Sequence, residues 1–381
     1  MGHLAADLER VDVLRDPGWR DAYWRVPRHR FIPEVMWVDR DRSGAYAPVH
    51  RDDDPELWWG TVYSNSLVVT QVDDGRSAPS GAGGAYLTSS ASQPSLVFGM
   101  LRALGVTPGM RVLEIGTGTG YNAALLAARL SDRGLTTIEI DGAVGERARA
   151  ALAGAGWHPA VIVGDGAEGY PPNAPYDRVI ATCAVRRVPY AWIDQTRPGG
   201  VILTPWGTAY HNGALLRLVA GAGGTATGSF DAEASFMWIR AQRTPPLGDI
   251  VHREKDADHT VATLDPGEVF AEQHAEFAVG LRVPDCGRLD HAREDGGLTR
   301  WLFDPATASW AGVDYRPGAA SHPVAQYGPR RLWDEVEHAY HWWCDRGRPE
   351  RERFGVTVTA ERQCLWLDEP AREISAPRPL A

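Results

Sequence analysis

Residues 112–122 read Val112-Leu113-Glu114-Ile115-Gly116-Thr117-Gly118-Thr119-Gly120-Tyr121-Asn122, and their reading decides the fold. An apolar run entering three closely spaced glycines predicts a buried strand that opens into a loop. The missing Cβ atoms let the backbone of such a loop approach a ligand closely. The next segment, NAALLAARL (122–130), has helical composition and starts at once. Downstream, TTIEI (136–140), AVIV (160–163), DRVIAT (177–182) and GVILTP (200–205) supply four more strand candidates. Ala-rich helical runs such as GERARAALAGAG lie between them. Alternation of this kind predicts βαβ units and a parallel sheet. The expected fold class is α/β, an open doubly wound, Rossmann-like sheet whose ligands sit beyond the carboxyl ends of the strands.

Working outward, the 381 residues divide into three expected zones. Residues 1–90 mix short helical pieces with turn-rich stretches and end in the Gly/Ser/Pro segment DDGRSAPSGAGGAY, which reads as a mobile loop. Residues 91–240 carry the α/β alternation. Residues 241–381 lose it and hold a tryptophan-rich helix candidate (Leu332–Trp343) and a strand-like FGVTVT, so an accessory α+β domain is expected there. The 15 tryptophans cluster in the two flanks, where burial in a second core and the lining of a peptide groove are both open readings. A formal net charge of −10 argues against a nucleic-acid partner. The four cysteines (Cys183, Cys286, Cys344, Cys364) have no CxxC or His-cluster spacing, so no metal site is expected. The N-terminal residues lack the apolar run of a signal peptide, and no stretch approaches the length of a membrane span. A cytoplasmic location, away from the membrane, is the expectation.

The chemistry resides in acids at strand ends. The glycine spacing is GxGxG, preceded by Glu114. A dinucleotide site places a pyrophosphate at this helix N-terminus, where a neighbouring carboxylate is unwelcome. A ligand with a cationic amino-acid moiety tolerates it, which favours S-adenosylmethionine. Glu139, closing the second strand, suits two ribose hydroxyls. Asp165, in Gly164-Asp165-Gly166, suits an adenine amino group. Upstream, Ser89-Ser90-Ala91-Ser92-Gln93-Pro94 opens an apolar run. Ser92 or Ser95 fits a helix N-cap there, with Pro94 near the first helical position.

Four segments resemble the protein-L-isoaspartate (D-aspartate) O-methyltransferase family, in that family's order: VPRHRFIPE (26–34), SASQPSLV (90–97), VLEIGTGTGYNAALLA (112–127) and GDG…APYDRVIAT…PGGVILTPWG (164–207). The glycine motif alone indicates only a class I methyltransferase; the SxxSQP and VPRHRFIPE elements are specific. The resemblance implies an S-adenosylmethionine-dependent carboxyl O-methyltransferase that releases S-adenosylhomocysteine. It implies that Ser92 is the active-site serine orienting the acceptor carboxylate. Glu114, Gly116, Gly118, Gly120, Glu139, Asp165 and Gly166 fall on cofactor-binding positions, and Thr117, Tyr121, Asn122 and Ile140 are grouped with them. Ser90, Gln93, Val185 and Arg186 are the expected acceptor contacts, the last two on a loop after the fourth strand where the residues differ from the family's. Arg28 and His29 read as structural.

The chain departs from the repair enzymes by its insertion at Asp39–Gly60, its altered loop and its long C-terminal stretch. YSNSLVVTQVDDG and the C-terminal LWDEVEHAYHWW…RFGVTVT…LWLDEP are similar to an actinobacterial subgroup found with ribosomally made, modified peptides such as lanthipeptides and graspetides. That kinship implies methylation of a genuine aspartate in a precursor peptide, the ester then cyclising to an aspartimide that persists or opens to isoaspartate. Repair of isoaspartyl proteins is the alternative. A nucleic-acid methyltransferase is the competitor from another class, because Asn173-Ala174-Pro175-Tyr176 is similar to an N-P-P-Y element. That segment, however, precedes its strand.

Overall fold

The computed structural model describes residues 1–39, 46–76, 86–243, 256–262, 264–270 and 272–374. The chain opens with helices α1 (Gly2–Arg10) and α2 (Pro17–Arg25). Helix α2 starts where it does because Pro17 presets the first helical φ and the Asp16 carboxylate accepts the Trp19 amide. Strands β1 (Val35–Val38) and β2 (Ala47–His50), helix α3 (Pro55–Val62), and strands β3 (Val68–Val72) and β4 (Leu87–Ala91) follow. The four strands form a small antiparallel sheet in the order β2-β1-β3-β4. The expected mobile loop falls largely on residues 77–85, and part of the insertion on 40–45; both lie outside the described residues.

Helix α4 (Pro94–Leu104) carries the apolar run after SxxSQP and buries Val97, Phe98, Met100, Leu101 and Leu104. Full burial of side chains this size contributes roughly 1.5–3 kcal/mol each. Its cap position is Gln93, with no side-chain bond, so neither Ser92 nor Ser95 caps it. The α/β alternation then unfolds as β5 (Val112–Ile115), α5 (Tyr121–Leu130), β6 (Leu135–Glu139), α6 (Gly142–Gly154), β7 (Ala160–Val163), β8 (Tyr176–Ala181), the short α7 (Tyr190–Asp194) and β9 (Thr196–Gly207). All five expected strands are present and parallel, in the order β7-β6-β5-β8-β9. The chain moves outward from β5 to β7 and returns to β8 on the other side. A crevice therefore opens at the β5/β8 switch point, beyond the strand carboxyl ends.

The sheet does not stop at β9. Hairpin β10 (Asn212–Ala220) and β11 (Ala226–Glu233) extends it antiparallel. The C-terminal region supplies β12 (Asp258–Val261), helices α8 (Pro266–Phe270) and α9 (Gln273–Arg282), and β13 (Gly287–Ala292), β14 (Leu298–Asp304), β15 (Ser309–Tyr315) and β16 (Pro323–Tyr327). These five strands form a separate antiparallel sheet, β12-β16-β15-β14-β13. Helix α10 (Leu332–Asp345) and strands β17 (Phe354–Val358) and β18 (Gln363–Leu367) complete the described elements. The strand-like FGVTVT is β17, and it pairs with β11, so the nine-stranded central sheet draws strands from both sides of residue 240.

Aromatic packing fixes this union. The rings of Trp206, Phe230, Phe277 and Phe354, from β9, β11, α9 and β17, follow one another with centroid separations of 5.0, 4.9 and 5.7 Å. Truncating such a buried ring costs about 3–5 kcal/mol. On α10, Trp333 and Trp343 are buried with Leu332, Val336, Ala339 and Tyr340 at helical spacing. Its neighbour Trp342 is half-buried, its ring 6.3 Å from that of Phe354 and covered by the guanidinium groups of Arg282 and Arg346 at 5.1 and 4.5 Å. These tryptophans of α10 therefore serve packing. No described helix is long and apolar enough to cross a membrane.

Candidate active site

The crevice at the switch point is a cleft of about 1040 Å³, open mouth included. Its floor is the glycine loop. Gly116 adopts φ +89°, and a Cβ there would stand 2.8 Å from Thr182 Oγ1, which itself donates to the Gly116 carbonyl. Glycine is thus required by conformation and by the close approach of β8's end. Gly120, at φ +87°, starts α5 and presses on α6, where a Cβ would meet Leu152 and the Ala148 carbonyl. That third glycine serves helix packing and does not line the cleft.

Ten other expected residues do line it beside Gly116: Ser90, Ser92, Thr117, Gly118, Tyr121, Asn122, Glu139, Ile140, Asp165 and Gly166. Glu139 accepts the Gly118 amide at 2.9 Å and the Asp141 amide at 3.1 Å, tying the end of β6 to the loop. Burial raises its pKa, opposed by those two amides. Asp165 accepts the Ala167 amide through one oxygen. Ile140 is 39% exposed, an unusual state for an apolar side chain in a cleft wall. Tyr121 is fully buried, and burial pushes its pKa up.

Glu114 requires a correction. It is fully buried beneath the loop and absent from the cleft lining. One oxygen accepts the Asn122 amide at 2.7 Å, and the other accepts the Thr137 hydroxyl at 2.5 Å. Thr137 in turn meets Thr117 Oγ1 at 2.7 Å. Burial pushes the Glu114 carboxyl up to about 7. The residue is an internal tie between β5, β6 and α5, and not a contact for a cationic ligand.

Opposite the glycine loop stand β4 and the turn into α4. The Ser92 hydroxyl makes no hydrogen bond among the described residues, while its carbonyl is held by Arg28. Arg28 is 1% exposed, and its guanidinium donates to five carbonyls: Val62, Ser64, Ser66, Ala91 and Ser92. Charge-assisted bonds of this type contribute about 1.5–3 kcal/mol each. Burial lowers its pKa to about 10, so it stays charged. His29 pairs with the Tyr63 hydroxyl at 2.6 Å. Arg28 is thus a structural residue that fixes the serine's backbone, and His29 ties the same segment to Tyr63. Gln93 is exposed and bonded to Ser95, outside the lining.

The remaining wall was not foreseen. After β11, Phe236, Met237, Trp238, Ile239, Arg240 and Arg243 close the cleft. This segment pairs with the loop after β8 through the Ala184↔Trp238 bridge and two backbone bonds, Ala184 N to Met237 O and Ile239 N to Ala184 O, both 2.8 Å. Thr182 and Cys183 line the cleft, and burial pushes the Cys183 thiol up to about 12. Val185 is fully buried against Trp206 and does not face the cleft. Arg186 stands one layer out, its guanidinium 4.9 Å from the centre of the Trp238 ring. At the mouth, Asp74 binds Arg240 at 3.0 Å and Arg243 at 2.9 Å. Burial alone would raise the pKa of nearby Asp141, but hydrogen bonds from the Val144 and Ala143 amides and Gln71, together with the Arg240 charge, bring it down. Asn173, of the segment similar to N-P-P-Y, donates to Thr136 and does not line the cleft.

These residues fit S-adenosylmethionine. Gly116 leaves room at the loop, Glu139 and Asp165 present carboxylates at consecutive strand ends, and Ile140 offers an uncovered apolar face beside them.

Comparison with known proteins places this cleft in context. The sequence model of the family described as protein-L-isoaspartate (D-aspartate) O-methyltransferase matches residues 80–237. A protein-L-isoaspartate O-methyltransferase of Thermococcus sibiricus is 35% identical over 210 residues, 55% of this chain and 77% of that protein. One from Ignicoccus hospitalis is 36% identical over 187 residues, 49% of this chain and 71% of its own length. A solved structure described as a protein-L-isoaspartate O-methyltransferase superposes with a TM-score of 0.55 at 21% identity. It covers 97% of this chain and 99% of its own, so the likeness of fold extends through the C-terminal region.

Proposed function

The chain belongs to the protein-L-isoaspartate O-methyltransferase family, and from that premise we propose that its acceptor is the free carboxylate of an isoaspartyl residue in a peptide or protein. The fold is that of a class I methyltransferase, and the enzyme is an S-adenosylmethionine-dependent carboxyl O-methyltransferase. The observation that carries the acceptor reading is Ser92. Its hydroxyl makes no hydrogen bond among the described residues, lines the same cleft as the glycine loop, and stands on a backbone held by buried Arg28.

S-adenosylmethionine, when bound, would supply a sulfonium methyl group that an acceptor oxygen attacks in line, with S-adenosylhomocysteine leaving as the neutral thioether. The protein's share of the work is alignment. An acceptor carboxylate is already ionised near neutral pH, so no general base is required. Ser92 donates a hydrogen bond that orients the carboxylate toward the methyl-bearing side of the cleft. Gly116, Thr117 and Gly118 would hold the amino-acid end of the cofactor, with Tyr121 and Asn122 beside them. Glu139 would take the ribose hydroxyls, Ile140 would pack on the base, and Asp165 with Gly166 would receive its amino edge. Ser90 and Arg186 act on the acceptor side.

A second reading concerns an ordinary aspartate in a modified precursor peptide, converted through its ester to an aspartimide. What supports it is Arg186 and Arg187 on the acceptor loop of a chain with net charge −10, an arrangement suited to an acidic peptide. The C-terminal region does not separate the readings, because the superposed isoaspartate methyltransferase covers it too. Steady-state methylation of an isoaspartyl hexapeptide against its aspartyl isomer, followed by mass spectrometry, discriminates between them. The isoaspartyl peptide is expected to be the better substrate by at least about tenfold in kcat/KM. Equal or reversed preference would transfer the assignment to the aspartate reading.

A further inference from the structure

The loop that follows β8 makes no continuous ladder of its own, yet its backbone polar groups are almost fully engaged. Gln242 accepts the amides of Arg186 at 2.7 Å and Arg187 at 2.9 Å through Oε1, and donates Nε2 to the Arg187 carbonyl at 2.8 Å. Gln363, the first residue of β18, accepts the Val188 amide at 2.9 Å and donates to the Arg186 carbonyl at 3.3 Å. Two side-chain amides thus act as surrogate peptide groups and satisfy all but one of the backbone donors and acceptors of Arg186, Arg187 and Val188. One of them comes from a strand more than 170 positions further along the chain. Both lie beyond residues 80–237, the stretch that the family's sequence model matches.

We propose that Gln242 and Gln363 are positioning residues for the acceptor, so that the C-terminal part of the chain sets the shape of the acceptor-side wall. The proposal rests on the reading that the 182–188 side of the cleft receives the acceptor. The geometry explains how the grip is transmitted. Ala184 and Val185 are already anchored by the Met237 and Pro205 carbonyls. The glutamines fix the next three residues, and with them the backbone that carries the Arg186 guanidinium over Trp238, a residue of the cleft lining. None of the glutamine bonds reaches the glycine loop, Glu139 or Asp165, so the grip acts on one wall alone.

The test uses the full chain with Gln242→Ala, Gln363→Ala, Gln242→Glu and Gln363→Glu. Hydrogen–deuterium exchange reports on the grip: the Ala variants should exchange faster in peptides covering 184–188, with the glycine loop unchanged. Titration calorimetry with S-adenosylmethionine and steady-state kinetics with an isoaspartyl hexapeptide report on its use. Each Ala variant should raise KM for the peptide about tenfold, leaving kcat and cofactor affinity within about twofold. The Glu variants keep the acceptor oxygen but replace the Nε2 donor with an oxygen facing the Arg187 or Arg186 carbonyl, so at nearly unchanged side-chain volume they should raise KM at least as far as the Ala variants. They also cover the case in which an Ala variant does not fold. An unchanged KM in the Ala variants, or a cofactor affinity that falls in step with it, would overturn the proposal. If the wild type instead prefers an aspartyl peptide, the acceptor assignment fails, and the same KM comparison on that peptide decides the role of the glutamines.

Discussion

On one side of the cleft, the lining groups come from three consecutive strand ends, β5, β6 and β7, and the short loops after them. On the other, β4, the loop after β8 and the segment after β11 converge from distant parts of the chain, with the first residue of β18 behind the loop. The first wall is rigid by construction: buried strands, a glycine loop tied to Glu139, and Glu114 cross-linking beneath it. The second is held by side chains, with Arg28 behind Ser92, the two glutamines behind Arg186, and Asp74 pairing with Arg240 and Arg243 at the mouth. One methyl donor needs one unchanging cradle, whereas acceptors differ, and a wall of clamped loops is easier to reshape by substitution.

The largest effect expected from breaking this division is Gly116→Val. A side chain at φ +89° is strained, and it would collide with Thr182. Cofactor affinity measured by calorimetry should fall at least about 100-fold, or 2.7 kcal/mol. Ser92→Ala should lower kcat roughly 10- to 100-fold while leaving cofactor affinity within twofold. A matching loss of cofactor affinity would show that the two walls are not separable. Arg186→Ala should raise the acceptor KM about five- to tenfold in steady-state assays, with kcat little changed.

The smallest functional effect is expected from Glu114→Gln, less than about threefold in cofactor affinity, because the residue lies under the loop. Its signature is in stability. Burial lifts the Glu114 carboxyl from 4.5 to about 7 in the folded chain. A group whose folded pKa is raised contributes stability that is fully present below its unfolded pKa and is lost as pH rises through the folded one. Between about pH 4.5 and 7 the wild type should therefore lose on the order of 2–3 kcal/mol that Glu114→Gln does not lose. Thermal unfolding against pH reads this directly. Parallel curves for the two proteins would contradict the burial argument.

The same division explains what could be read from the amino acids. Local signals carry the cradle: an apolar run into glycines, then acids at the next two strand ends. Glu114 was misplaced because strand position alone does not tell which face a carboxylate takes. The parallel register sets Thr137 opposite it, and that polar pair within two otherwise apolar strands was the available clue. The wall from Phe236 to Arg243 has no helical or alternating period, and it becomes a wall only by bridging to Ala184. The small N-terminal sheet escaped because its short strands are not framed by the Ala-rich helical runs that mark β5 to β9, and one of them, β4 (LTSSA), is largely polar. The grip of Gln363 on Arg186 and Val188 joins residues too far apart in sequence for any local pattern to reveal.

The most direct test of the central claim is a single-turnover experiment in which the protein, loaded with S-adenosylmethionine, is mixed with an excess of isoaspartyl hexapeptide and quenched for mass spectrometry. One methyl ester per loaded chain, on the isoaspartyl carboxylate and suppressed in Ser92→Ala, is the predicted result. Cofactor binding without any ester on that peptide would contradict the account.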